Sequence, residues 1–279
     1  SATRDGFLDF GWGDAFHETN KLASWMMYTH LAQAIHFYGE SMPERAKQAR
    51  AIMEQIPPHL RKILALRKYP YCSFILTGFD PAEKNTESPE QVLGGEIAAY
   101  FPTFGLMVVR SGATENDTHA AIKAGAQFTQ HQHYDENSFI LYKKGFQALD
   151  SGTRGSAKHH KVYYPQSIAH NTILIRMENE PLPNYWYPRN APAITEKVFN
   201  DGGQNRIGVA RPLGFEKSAY HAVTAGDATR CYAPEKCREA VRQFVYVAPD
   251  YFVIYDRVTS VTQSKIVKGE SNRAGLHAE

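Results

Sequence analysis

The sequence predicts an α+β chain, with a helical region at the N-terminal side and an antiparallel β-sandwich after it. Three observations carry that expectation. Apolar residues recur at helical spacing up to about Pro57, the period shortens to two beyond about residue 100, and the later segments are joined by turns with no helices between them.

From Leu22 to Tyr38 nearly every turn carries large apolar groups (Leu22, Trp25, Met26, Leu31, Ile35, Tyr38), the pattern of a helix buried on more than one side. Gly39 supplies its stop. Ser41 with Glu44 three positions on reads as a capping box, and Ala46, Ala49, Ile52, Met53 and Ile56 continue at helical spacing until Pro57-Pro58 breaks the run. A third helix is expected over His59 to Arg67. A polar, proline-containing stretch from Asp80 to Glu90 then separates a helical region over residues 1–90 from a sandwich over 91–279. Within the latter, Phe104–Arg110, His119–Phe128, Ser138–Tyr142, Phe146–Leu149, Thr172–Arg176, Val241–Val247 and Tyr251–Asp256 read as strands between Gly, Asn, Asp or Pro turns. The last two form a hairpin across Ala248-Pro249-Asp250.

Composition narrows the partners. Among 279 residues, 31 Lys and Arg balance 29 Asp and Glu for a formal charge of +2, so the basic excess expected of a nucleic-acid or anionic-membrane binder is missing. No apolar run approaches the ~20 residues of a membrane helix. A content of 43% hydrophobic and 12% aromatic residues argues for a packed core over disorder. Cys72, Cys231 and Cys237 lack the pairing of a zinc ribbon; Cys231 and Cys237, around Ala233-Pro234-Glu235, suit either a short-loop bridge or two buried thiols.

The chemistry concentrates between Gln130 and Asn171. His131 and His133, at i and i+2, would face the same way from an extended strand and so converge on one centre. Asp150 and His170 stand at expected strand edges, where a neighbouring strand could bring them to the same ion. Imidazole with carboxylate favours Zn2+ or a similar divalent cation over calcium, whose sites are built from oxygen. Taken singly, each residue has a plainer role: Asp150 and Asp135 can begin turns, and His159-His160 reads as a solvated loop.

At these residues the sequence resembles the heparinase II/III-like polysaccharide lyases. The resemblance is carried by Gln130-His131-Gln132-His133-Tyr134-Asp135 with Ser138-Phe139, by Leu149-Asp150-Ser151-Gly152, and by Ala169-His170-Asn171-Thr172. Supporting stretches are Tyr100-Phe101-Pro102, Met107-Val108-Val109-Arg110, Gly226-Asp227-Ala228-Thr229 and Tyr251 to Val258. It implies that the helices are the C-terminal part of an (α/α) toroid and that the activity is β-elimination on uronic-acid-containing acidic glycans, heparin-like or alginate. It implies His131 as the catalytic histidine and His133, Asp150 and His170 as ligands of an architectural metal, with a secreted or periplasmic setting.

The remaining roles are assigned by position. Tyr163 and Tyr164 are the candidates for the acid, and Gln130, His17 and Asn20 for contact with the substrate carboxylate; Tyr28 and His30 are further candidates on the helical side. Arg154, Lys158, Lys161 and Arg189 could meet sulfate groups. With only about eighty residues before the sheet region, the chain reads as truncated relative to a full toroid. Two other classes fit part of the pattern. A cupin-like metal-dependent isomerase or oxygenase also uses a His-x-His pair, but Glu136 follows that pair too closely and the helices would be superfluous. A non-catalytic glycan-binding module would bind glycan without cutting it.

Overall fold

The protein is seen here as a computed structural model that describes residues 2–3, 6–7, 24–56, 91, 95–125, 131–152, 159–185, 193–195 and 197–261. A two-residue ladder pairs β1 (Ala2–Thr3) with β2 (Gly6–Phe7). Helices α1 (Ser24–Tyr38) and α2 (Pro43–Glu54) pack against each other. Tyr28, Ala32 and Ile35 are buried from α1, and Ala49 and Met53 from α2, each set at three- and four-residue spacing that puts it on one face. Phe37 and Tyr38 remain exposed, so the last turn of α1 is buried on one side and not on several.

The capping box expected at Ser41 does not form. Pro43 takes the first turn of α2, where its fixed φ and missing N–H cost nothing, and Met42 holds the cap position without a side-chain bond. Ser41 instead donates its hydroxyl back to the Tyr38 carbonyl at 3.4 Å. The helix expected over His59 to Arg67 and Cys72 lie outside the described residues.

Two antiparallel sheets follow. In the first, β3 (Ala98–Phe101), β4 (Leu106–Arg110), β5 (Thr118–Lys123), β6 (Ser138–Lys143) and β7 (Phe146–Ala148) lie in chain order. In the second, β8 (Arg211–Lys217), β9 (His221–Asp227), β10 (Cys237–Val247) and β11 (Tyr251–Ser260) do the same. A shared core joins them: Met107, Val109, Ala120 and Ile122 from one sheet meet Ala222, Phe244 and Tyr246 from the other. Phe139 and Phe244 bridge the layers with ring centroids 6.0 Å apart. This is the β-sandwich expected from period-two patterning.

β5 is the central strand of its sheet and is buried along its whole length. Its polar residues, among them Lys123, are therefore inside the protein and need partners there.

Three strand expectations shift. Of the segment expected over His119–Phe128, residues 126–128 lie outside the described residues and the ladder runs to Lys123; beyond it Gly105 (φ +58°) and Gly125 approach backbone to backbone, with Ala124 N–H bonded to the Gly105 carbonyl at 2.9 Å. Thr172–Arg176 is not a strand; its polar groups are satisfied by loops, Thr172 Oγ1 donating to the Ser167 carbonyl (3.1 Å) and Ile175 N–H to that of Gly202 (2.8 Å). The final hairpin forms where expected, but its strands are longer, running back to Cys237 and on to Ser260. Cys231 and Cys237 are both free, buried thiols in a second core cluster with Tyr232 and Ala240.

Candidate functional site

The loop after Lys123, the segment after β7 and the turn at Ser167–Ala169 meet at one end of the first sheet. Side-chain to backbone bonds hold them. Gln204, fully buried, accepts from the Glu136 N–H at 3.0 Å and donates to the Glu136 carbonyl at 2.8 Å. Its own N–H reaches Ser167 Oγ at 2.8 Å, and that hydroxyl donates to the Tyr134 carbonyl at 2.5 Å. Arg242, from β10, grips Asp256 through Nε (2.7 Å) and Nη2 (2.8 Å) while Nη1 donates to the carbonyls of Asn137 (2.8 Å) and Asn171 (2.6 Å). One guanidinium thus ties both loops to the second sheet.

Within this frame Asp150 and His170 come together. His170 Nδ1 lies 2.7 Å from Asp150 Oδ1, and the Gly152 N–H donates to the same oxygen at 2.8 Å. Asp135 completes a buried trio: one donor atom from each of Asp135, Asp150 and His170 lies within 4.8 Å of the other two. Asp135 Oδ2, Asp150 Oδ2 and His170 Nε2 are buried and make no hydrogen bond among the described residues. Unsatisfied buried carboxylate and imidazole atoms in one cluster are costly unless something charged neutralises them. The donor set, two carboxylates and one imidazole, suits a borderline divalent ion such as Zn2+.

His133 is fully buried beside the trio, its ring centroid 5.2 Å from that of His170 and 5.5 Å from that of Tyr185, and it lies outside the 4.8 Å set. His131 is exposed. The two do not share one face, because residues 131–135 are not extended: His131 sits at φ +62°, a left-handed conformation that turns the chain between them. Tyr163 and Tyr164 follow a short helix, α3 (His159–Val162), and border the trio. The Tyr163 hydroxyl is 3.2 Å from Ser151 Oγ, and the Tyr164 carbonyl is packed against Gly152. The His159-His160 pair splits: His159 is exposed, but His160 is fully buried, 6.1 Å from the Tyr185 ring. Tyr28 is buried and His30 is exposed. Gln130, His17, Asn20, Arg154, Lys158 and Arg189 lie outside the described residues.

Lys123 supplies the local positive charge. Its ammonium donates to Asp135 Oδ1 and stands 3.6 Å from Glu136 Oε1, with all three side chains buried. Burial alone would lower the lysine pKa, but the two carboxylates outweigh it and hold it above the ordinary value. For Asp135 burial is likewise overcome, by Lys123 first, so its carboxyl stays below the usual range. Glu136 goes the other way: burial pushes it up to about 7 against the pull of Lys123. His170 is raised, burial being outweighed by Asp150.

Sequence reading missed Asp135, Lys123, Gln204 and Arg242 as parts of this site. Asp135 carried a signal, standing two residues after His133 in the richest motif of the chain, and was read as a turn residue. It is one, its carbonyl accepting from Ser138 N–H at 3.1 Å, while its carboxylate does the further work.

A family model described as Heparinase II/III-like, C-terminal, matches residues 94–269, more than half of the chain. Among solved structures, a heparan sulfate lyase, HepC, from Pedobacter heparinus aligns with a TM-score of 0.54 at 14% identity, covering 93% of this chain and 31% of that one. A mutant of the same lyase aligns at 0.53 and 15%, covering 93% and 30%. The chain thus spans about a third of the length of those structures, and the likeness is one of fold. No curated protein matches.

Proposed function

Since the chain belongs to the heparinase II/III-like family, matched through its C-terminal domain, we propose that it is part of a polysaccharide lyase that cleaves uronic-acid-containing glycans by β-elimination. The observation that carries this reading is the buried meeting of Asp150 and His170 beneath the loop that exposes His131. The substrate class is an acidic glycan of the heparin, heparan or alginate kind. In this reading α1 and α2 are the C-terminal part of an (α/α) toroid, with the boundary to the sandwich near residue 90.

The residues divide the work. His131, exposed on a strained turn, removes the proton from the carbon next to the uronate carboxylate. A double bond forms as the 4-oxygen leaves, and Tyr163 or Tyr164 returns a proton to that oxygen. Gln130, His17 and Asn20 are the candidates to contact the carboxylate on which charge develops. Asp150 and His170, joined by Asp135 and with His133 buried beside them, would hold a divalent cation. Its part would be architectural, tying together the segments that carry these residues. Gly152 N–H and His170 Nδ1 both engage Asp150 Oδ1, which fixes the carboxylate and sets the imidazole tautomer.

The test is ultraviolet absorbance of a new unsaturated uronate when the complete product of the reading frame, with zinc supplied, meets heparin, heparan sulfate and alginate. Absorbance on one of them that disappears in H131A, with zinc content unchanged, supports the reading. No absorbance on any uronate polymer overturns it, and glycan binding without cleavage would favour a binding module.

A further inference from the structure

Lys123 has a role that neither a core ion pair nor a ligand list explains. It lies on the fully buried central strand; its ammonium donates to one oxygen of Asp135 and stands 3.6 Å from Glu136, the other Asp135 oxygen makes no hydrogen bond among the described residues, and a donor atom of Asp135 lies within 4.8 Å of one from each of Asp150 and His170. We propose that Lys123 is a positioning residue and resident counter-charge for a divalent-cation centre, holding Asp135 so that this carboxylate is a donor to the ion. The inference rests on the metal reading of the site given above.

The charges argue for it. Asp135, Asp150 and Glu136 are all essentially inaccessible to solvent, so three carboxyl groups share one buried site. Lys123 supplies one positive charge against them, and a divalent cation would supply two more. Removing Lys123 takes away the ammonium that bonds Asp135 and stands 3.6 Å from Glu136, leaving two adjacent buried carboxyl groups without it. The fold of the metal-free protein should therefore depend on Lys123 far more than that of the metal-bound protein. A lysine that merely filled the core would stabilise both forms equally.

The experiment compares wild type, K123M and K123M/D135N, with zinc alone as the probe, measuring bound zinc by equilibrium dialysis and thermal midpoints with zinc and with chelator. In K123M the drop in midpoint on chelation should be at least twice that of wild type. In K123M/D135N, where both charges are gone, the chelated midpoint should recover towards wild type while zinc affinity falls about 10- to 100-fold. Equal losses of midpoint with and without zinc in K123M overturn the proposal, as does undiminished zinc binding by K123M/D135N. If K123M folds in neither condition, the zinc affinity of the double variant decides. A wild-type protein that binds no zinc overturns the metal reading itself, and this inference falls with it.

Discussion

Gly152→Ala probes the site through packing alone. A Cβ built on Gly152 lies 2.0 Å from His170 Cε1, 2.5 Å from His170 Nε2 and 2.5 Å from the Tyr164 carbonyl oxygen. Carbon–carbon contact is comfortable at about 3.5 Å, so the ring must retreat by roughly 1.5 Å. It cannot do so freely, because Nδ1 is bonded to Asp150 at 2.7 Å and the other neighbour is backbone. Overpacking of this kind costs about 1–3 kcal/mol, which for a chain of this size lowers the thermal midpoint by roughly 2–12 °C. The same displacement pulls His170 out of the trio, so zinc affinity should fall about 10- to 100-fold. Differential scanning calorimetry and zinc titration of G152A read the two effects separately. A midpoint and a zinc affinity both equal to wild type would refute the claim that this glycine exists to admit the imidazole.

Three further outcomes follow from the same geometry. Arg242→Ala removes two bonds to Asp256 and two to loop carbonyls, and should lower stability by about 2–4 kcal/mol in urea unfolding, with Arg242→Lys recovering only part because an ammonium cannot make the forked contact. Asp117 is held below the usual carboxylate range first by the Thr114 hydroxyl, which donates to Oδ2 at 2.6 Å. The unfolded chain then binds a proton there more readily than the folded one, so this stabilisation is present above about pH 4 and drains away as the pH falls through the lowered value. A plot of thermal midpoint against pH should be shallower on its acid side in D117N than in wild type. Burial raises the thiols of Cys231 and Cys237, so peptide mapping after iodoacetamide treatment at neutral pH should find both unmodified in folded protein and both modified in denaturant.

The sandwich was legible because period-two patterning is a local property: Met107 and Val109 face inward and their neighbours outward, as the alternation says. The centre was half legible. Asp150 and His170 could be paired by motif, since each sits on a tight turn whose residues are themselves informative. Asp135 was not, because its carboxylate is held by Lys123, twelve residues away across the β5–β6 connection, and no spacing rule links them. His-x-His misled for a related reason. The inference that i and i+2 share a face holds only in extended backbone, and the left-handed His131 breaks it. Thr172–Arg176 has the composition of a strand but pairs with no strand among the described residues; Arg242 and Asn171 commit the start of that stretch to the loops, Asn171 Nδ2 donating to the Phe139 and Leu149 carbonyls at 2.9 and 3.1 Å.

That commitment bears on what the ion would do. The loops that form the centre are fixed from the sandwich side by Arg242, Gln204 and Asn171, whose hydrogen bonds do not involve the trio. Loss of the ion should therefore leave the two sheets standing and loosen only the contacts among the segments at 131–137, 150–152 and 165–171. Hydrogen exchange separates the alternatives. With chelator, amides bonded within the site, such as Ser151 N–H to the Ala169 carbonyl (3.0 Å) and Tyr134 N–H to that of Pro165 (2.8 Å), should lose protection while those of the β9–β10 ladder keep theirs. Equal loss in both places would mean that the ion holds the whole domain, and that the clamps from β10 and Gln204 are consequences of its presence and not an independent frame.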